Sequence, residues 1–302
     1  MNVARHPISP DMVVREGRCP FCNRTDFRRF TALAYDTPGQ RVEITVCNRC
    51  DVAWQSGSRA HDSAALMQNC HEGSVGFWSP EQITSRTRLQ AAFVTELTQP
   101  GRLLDVGGAD GAFAVDAAKL GWDCTIIDPA FPSQRVSDRV NIVNGFVSDL
   151  PAAPIYDLAT MWAMIEHVPD YISLLRDTFV RLRPGGKLVI EALNYQCLDR
   201  MRADGKWWGF QADHQWYLSP AAYGQNLADI GFSRWEMAPT VLREHWKGDQ
   251  LQKPRLISVV KHIVKRPLRA GSIVRAFQAE REAVKRWPRW YGYPLTLLIA
   301  TK

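Results

Sequence analysis

Two hydrophobic periodicities alternate along most of this chain. SPEQITSRTRLQAAFVTEL reads as a helix from residue 79, with Ser79 as N-cap, Pro80 at the first helical position and Gln82 completing a capping box. Pro100-Gly101 closes it. Short apolar runs then alternate with amphipathic stretches. RLLDVG is a strand, GAFAVDAAKLG a helix ending at Gly121, and DCTIID, VNIVNG and YDLATMW are three further strands. YISLLRDTFVRLRPGG carries Ile172, Leu175, Phe179 and Leu182 on one helical stripe and leads into the strand KLVIEAL. SPAAYGQNLADIGF predicts a helix ending at Gly231, followed by the strands RWEMAPTVL and YPLTLLIATK. Near-continuous apolar strands between helices predict an α/β domain, a mainly parallel, doubly wound sheet covered on both faces.

Between those last two strands lies an insertion, 244–290, with two amphipathic stripes. Leu256, Val259, Val260, Ile263 and Val264 form one, stopped by Pro267; Ile273, Val274, Phe277, Val284 and Trp287 form the other, before Pro288. Both are read as helices packing on the protein, with peripheral membrane contact as the lesser alternative.

Charge singles out the same segment. The 302 residues carry 37 Lys and Arg against 31 Asp and Glu, yet residues 244–293 alone hold 12 against 4. The rest of the chain is slightly acidic, so the basic character belongs to the insertion and suggests an anionic partner. No run approaches the roughly 18 apolar residues of a membrane span. The opening MNVARHPISPDMVVREG has no apolar stretch with a small-residue cleavage site, so the expected location is cytoplasmic.

Cysteines mark a second unit. Cys19 and Cys22 form CPFC, Cys47 and Cys50 form CNRC, and 24 residues lie between the pairs. That spacing predicts a tetrahedral four-thiolate Zn2+ site of structural type. Asn23 and Asp51 follow each knuckle, where non-glycine residues tolerant of positive φ are wanted. TDFRRFTAL and QRVEITVC, with YDTPGQ between them, supply a hairpin too small to fold without metal. The expected organisation is an N-terminal arm and zinc ribbon over 1–58 and an α/β domain over 59–302.

The chemistry of that domain is read from LLDVGGADGAF, residues 103–113. A dinucleotide turn has glycines at relative positions one, three and six; here Gly107, Ala109 and Gly111 fall at one, three and five, with Gly108 between. No phosphate-binding lysine follows, which removes a P-loop. The pattern Asp105-x-Gly-x-Ala-x-Gly resembles motif I of the class I S-adenosylmethionine-dependent methyltransferases, whose turn admits the methionine part of the cofactor. The resemblance runs over most of residues 74–243. It implies a Rossmann-like methyltransferase fold, Asp128 of IIDPA on the ribose hydroxyls, and NGFVSDLP beside the adenine. Phe146 and the backbone of Val147 and Ser148 would then meet the base. YDLATMWAMIEHVPDYISLLRDTFVRLRPGGKLVIEALN resembles the family's fourth strand, helix and fifth strand, which puts Trp162 at the mouth of the site. GSVGFW resembles a segment that closes over the cofactor, with Phe77 and Trp78 equally readable as core.

For a hydroxyl acceptor the enzyme adds in-line positioning and proton removal to an already electrophilic sulfonium. Histidine is the natural base. His167 follows the fourth strand, and His214 lies in GFQADHQWYLSP, which resembles a recurring family segment with a histidine, an aromatic and a hydroxyl residue–proline pair. Trp207, Trp208, Trp216 and Tyr217 surround the latter and could stack on a ring or form core. A zinc ribbon ahead of this methyltransferase type resembles a group that modifies glycans and secondary metabolites. The expected reaction is therefore transfer to a hydroxyl, less readily an amine, of a sugar-containing or other small molecule, with the basic insertion receiving an anionic acceptor. The alternative is an RNA methyltransferase that grips nucleic acid through ribbon and insertion. Against it, the arginines at 18, 24, 28, 29, 41 and 49 form no dense stripe, and MWAM replaces the Asn-Pro-Pro-Tyr type of tetrapeptide that base amino-group methylases use.

Overall fold

A computed structural model describes residues 18–19, 22, 24–49, 52–56, 79–130, 137–203, 205–239 and 294–302. The fourth cysteine, Cys50, the knuckle residues Asn23 and Asp51, Phe77 and Trp78, and the basic insertion lie outside the described residues.

Seven strands form the large sheet: β4 (Arg102–Val106), β5 (Asp123–Ile127), β6 (Val140–Val143), β7 (Tyr156–Trp162), β8 (Leu182–Leu193), β10 (Arg234–Pro239) and β11 (Leu295–Thr301). Their order is β10-β11-β8-β7-β4-β5-β6. β6, β5, β4, β7 and β8 pair in parallel, and β11 and β10 are added antiparallel. The central strands are the apolar runs, as expected: Leu103, Leu104, Leu158, Ala159, Met161, Leu188 and Val189 are buried. Chain order reverses between β4 and β7, since β4 is followed outward by β5 on one side and by β7 on the other. Open α/β sheets bind ligands at the carboxyl ends of strands at such a switch point.

Helices α1 (Pro80–Leu97), α2 (Ala112–Lys119), α3 (Tyr171–Arg181), α4 (Leu198–Ala203) and α5 (Pro220–Ile230) accompany the strands. α1 begins with the capping box legible in the sequence: Gln82 N–H donates to Ser79 Oγ at 3.3 Å and Ser79 N–H to Gln82 Oε1 at 2.8 Å. α5 stops where Gly231 takes φ +122°. Among the described residues, no helix is long and apolar enough to cross a membrane.

A second sheet has the order β1-β2-β3-β9, with β1 (Phe27–Leu33), β2 (Arg41–Cys47), β3 (Ala53–Ser56) and β9 (Trp216–Tyr217). The hairpin read from TDFRRFTAL and QRVEITVC is present as β1 and β2 in full antiparallel register. Its continuation was not readable: β3 adds a third strand, and β9, which lies some 160 residues further along, adds a fourth. One group of side chains below this sheet joins Val42, Ile44 and Val46 to Trp207, Phe210 and Tyr217. Another joins Cys19, Cys47 and Trp54 to Trp216 and Tyr171. Trp207, Trp216 and Tyr217 are thus buried packing residues that seat the small sheet on the large domain, not a free stacking surface.

Candidate functional site

The turn after β4 is built from backbone conformations that only small residues accept. Gly107 (φ +72°), Ala109 (φ +49°) and Gly111 (φ +77°) are all left-handed, at relative positions one, three and five. Gly108 has no such φ, but a Cβ there would lie 2.6 Å from the Ile126 side chain and 3.0 Å from Asp105 Oδ2, so the chain passes too close for any other residue. The alanine at 109 therefore keeps the glycine conformation at a cost in strain of about 1–2 kcal/mol. Gly111 then caps α2, whose first amides face the turn.

Two carboxylates flank this turn. Asp105, at the end of β4, is buried; Thr160 Oγ1 donates to its Oδ1 at 2.8 Å, while Oδ2 is buried with no hydrogen-bond partner among the described residues. Burial pushes its carboxyl up to about 7, with the negative charges of Asp128 and Asp110 adding to the effect. Asp128, just beyond β5, is held by two backbone amides: Ala109 N–H reaches Oδ2 at 3.3 Å and Ala130 N–H reaches Oδ1 at 2.8 Å. The carboxylate is thereby tied to the glycine turn itself. A carboxylate offers two acceptor oxygens, which suits the two hydroxyls of a diol.

Beyond β6, Phe146 is exposed and Val147 buried in a one-turn 3-10 helix (Val147–Asp149). The buried Arg181 of α3 clamps that turn from behind by donating to the carbonyls of Ser148 and Leu150. Trp162 ends β7; its ring stacks edge-on against Phe113 of α2 at 5.1 Å, and its Nε1 is buried without a hydrogen-bond partner among the described residues. These features fit S-adenosylmethionine: a carboxylate for a ribose, a turn of small residues in left-handed conformation that leaves its backbone bare of side chains, and the Asp105 carboxyl beside it.

A second cluster lies past β7. The chain turns there at Ala163 (φ +50°), and Met164 packs over Gly107, close enough that a Cβ on the glycine would stand 3.1 Å away. His167, in the 3-10 turn Ile165–His167, sets Nδ1 3.3 Å from Asp213 Oδ2. Its ring meets that of His214 with centroids 4.6 Å apart. His214 is buried, with Nδ1 2.8 Å from Gly209 O. A carbonyl only accepts, so Nδ1 of His214 carries the proton and Nε2 does not. Burial, reinforced by His167, lowers this imidazole to about 3 and keeps it neutral. Glu166 is buried beside them; burial raises its carboxyl, and Oε2 has no hydrogen-bond partner.

The two sequence-derived histidines, 47 positions apart, are thus brought into ring contact. Asp213 and Glu166 were not singled out from the sequence. Each is the immediate neighbour of a candidate histidine, a signal that became usable only when the fold put the two pairs together.

Among the described residues, two groups could hold a metal ion. Sulfurs of Cys19, Cys22 and Cys47 lie within 4.8 Å of one another, with Cys22 and Cys47 at 3.5 Å. Cys19 N–H and Cys47 N–H close their knuckles on Arg24 O (2.8 Å) and Val52 O (2.9 Å). Three converging thiols among the described residues fit part of a thiolate zinc site. Glu166, His167 and His214 also set one ligand atom each within 4.8 Å, a set suited to a divalent cation.

Residues 81–236 match a family model described as a methyltransferase domain. The ubiquinone biosynthesis O-methyltransferase of Xanthomonas axonopodis pv. citri (strain 306) is 32% identical over 145 residues, which is 44% of this chain and 60% of that protein. The enzyme of the same name from Bordetella avium (strain 197N) is 30% identical over 135 residues, 39% of this chain and 56% of that protein. The chain thus spans a little over half the length of these relatives. A crystal structure of the Burkholderia thailandensis 1,6-didemethyltoxoflavin-N1-methyltransferase, with bound 1,6-didemethyltoxoflavin and S-adenosylhomocysteine, superposes with a TM-score of 0.51 at 16% identity. It covers 86% of this chain and 95% of the other, a likeness of fold.

Proposed function

The chain belongs to the methyltransferase domain family, and from that premise we propose that it moves the methyl group of S-adenosylmethionine to a hydroxyl of a small organic acceptor, with His167 as general base. The observation that carries this reading is the pairing of His167 with Asp213 one short turn beyond β7, the strand adjacent to the glycine turn. The cofactor supplies an electrophilic methyl on sulfur. Asp128 would hold the ribose, residues 107–111 the methionine part, and Phe146 with the backbone at Val147 and Ser148 the adenine. With Nδ1–H directed at Asp213, His167 would take up a proton at Nε2. With the donor and an acceptor bound, the methyl group would pass to the acceptor oxygen, leaving S-adenosylhomocysteine, and His167 would accept the hydroxyl proton. His214, buried and neutral, backs the base and does not replace it.

The activity by which the relatives are named, O-methylation in ubiquinone biosynthesis, supports a hydroxyl acceptor. Sugar-containing and anionic acceptors remain within the same chemistry, the latter through the basic residues of 244–290. Zn2+ on Cys19, Cys22, Cys47 and Cys50 would knit the N-terminal sheet together, a structural role. A second reading has an observation of its own. If Glu166, His167 and His214 hold a divalent cation, the acceptor oxygen would be activated by that ion and not by a free imidazole.

The test is radiolabelled methyl transfer to a panel of a catechol, a monophenol, a free sugar, a nucleotide sugar and RNA, with and without EDTA. Label in a hydroxylated small molecule that resists EDTA supports His167 as base; EDTA-sensitive label supports the cation. Label confined to RNA overturns the small-molecule reading.

A further inference from the structure

The N-terminal sheet and the acceptor cluster share one strand. β9 lies antiparallel to β3, with Trp54 opposite Trp216 and Ala53 opposite Tyr217. Upstream, the segment leading to β9 is bonded to the same sheet again and again. Leu33 N–H donates to Gly205 O (3.0 Å) and Tyr35 N–H to Phe210 O (2.7 Å). Ala212 is held at both ends: its N–H donates to Asp36 Oδ1 at 2.9 Å, and its carbonyl accepts from Gln55 Nε2 at 3.2 Å. Gln215 is held as well, its carbonyl taking Gln55 N–H at 3.0 Å and its own N–H donating to Glu166 O at 2.8 Å.

Asp213 and His214 are the two residues between these fixed points. One faces His167 and the other is stacked against it. A packing domain added only for stability could dock anywhere on the sheet. Here the polar side chains of Asp36 and Gln55 converge on the residue that immediately precedes Asp213. Site geometry must be held to within about 0.5 Å to be productive, and loops reach that only when rigid elements brace them.

We propose that the N-terminal sheet is a constituent of the acceptor site, and that Asp36 and Gln55 are positioning residues that set Asp213 against His167. This rests on the reading of His167 as the proton acceptor. It assigns the cysteine-bearing unit a task that neither the family match, which begins at residue 81, nor the relatives' names contain.

The experiment compares the full-length wild type with D36A/Q55A and with D36N. Asparagine at 36 keeps an acceptor oxygen for Ala212 N–H. Selective 15N labelling of histidine reads which ring nitrogen of His167 carries its proton, hydrogen exchange reads the 212–216 amides, and calorimetry reads S-adenosylhomocysteine affinity. In D36A/Q55A we expect exchange at 212–216 to rise about tenfold. The His167 ring should move from a single Nδ1–H tautomer to a mixture, and S-adenosylhomocysteine affinity should stay within about twofold. D36N should keep the wild-type tautomer. An unchanged His167 tautomer in D36A/Q55A overturns the proposal, as does a parallel loss of cofactor affinity, which would mean general loosening. If the wild type fails to bind S-adenosylhomocysteine, the methyltransferase reading falls, and the tautomer measurement still decides the positioning.

Discussion

The cofactor side and the acceptor side of this site are built in opposite ways. The first is local: Asp105, the glycine turn and the N-terminus of α2 are consecutive in sequence, and Asp128 enters one strand later, held by the turn's Ala109 amide and by the amide of Ala130. Its specificity lies in backbone conformation, with left-handed φ at 107, 109 and 111 and no room for a Cβ at 108. The acceptor side is assembled from three distant pieces, the turn after β7, the segment before β9 and the N-terminal sheet. Its specificity lies in side chains whose placement depends on long-range pairing. On the proposed reading, binding the cofactor and selecting an acceptor would rest on separate parts, so the two should come apart under mutation.

The sharpest separation is expected at His167. Replacing it with alanine removes the proton acceptor, and general-base catalysis is worth about 10²–10⁴ in rate. His167→Ala should lose that much in kcat on the acceptor found in the panel, while S-adenosylhomocysteine affinity, measured by calorimetry, stays near wild type. Equal loss of both would break the division into two halves. The mirror-image variant is Asp128→Ala. Hydrogen bonds to a charged group contribute about 1.5–3 kcal/mol, so S-adenosylhomocysteine should bind roughly 10- to 150-fold more weakly, with the His167 environment unchanged by NMR. Unaltered affinity would move the ribose to another residue.

The same division explains what the sequence could reveal. The glycine turn and its flanking carboxylates were legible as a pattern because their signals are short: a strand ending in aspartate, small residues at fixed offsets, an acidic residue ending the next strand. The capping box at Ser79 and Gln82, the helix stop at Gly231 and the five parallel strands are legible for the same reason, since each is decided within a dozen residues. The pairing of Trp54 with Trp216 has no such signal. WY at 216–217 is a two-residue strand, too short for any periodicity, and its partner is fixed by burial against Tyr171 and Tyr195, not by its own pattern. For that reason the aromatic cluster at 207–217 was visible as a cluster, while its role as the seat of the small sheet was not.

Asp105 offers a test of how the cofactor half is tuned. Its folded-state carboxyl titrates at about 7, above the ordinary 3.8, because it is buried. For a group raised in the folded state, the stabilisation is fully present below the unfolded value and is lost as pH rises through the folded one. Cofactor-free protein should therefore lose stability between about pH 4 and pH 7, with a slope of up to about 1.4 kcal/mol per pH unit from this one group. Asp105→Asn keeps an oxygen for the Thr160 hydroxyl and has no proton to lose. Its urea unfolding curves should lack that share of the slope, while the acceptor cluster, read from the His167 resonances, stays as in the wild type. A variant with the wild-type slope would place the carboxylate in a more polar setting than the structure gives it.

The smallest effect concerns Ala109, the residue that departs from the glycine common at this point of the motif. Its φ of +49° lies in the left-handed region, where a Cβ crowds the following carbonyl. Glycine relieves that crowding in the folded state but gives back flexibility to the unfolded chain, which offsets part of the gain. The strain is worth about 1–2 kcal/mol and the added entropy of glycine about 0.5–1 kcal/mol, so Ala109→Gly should raise stability by no more than about 1 kcal/mol. Ala109 N–H also donates to Asp128, and a glycine leaves that amide free to settle into the same bond. S-adenosylhomocysteine affinity should accordingly be unchanged or slightly higher, and the tautomer of His167 untouched. A marked loss of affinity in Ala109→Gly would mean that the alanine methyl itself touches the cofactor. The cofactor half would then read its ligand by a side chain, as the acceptor half does.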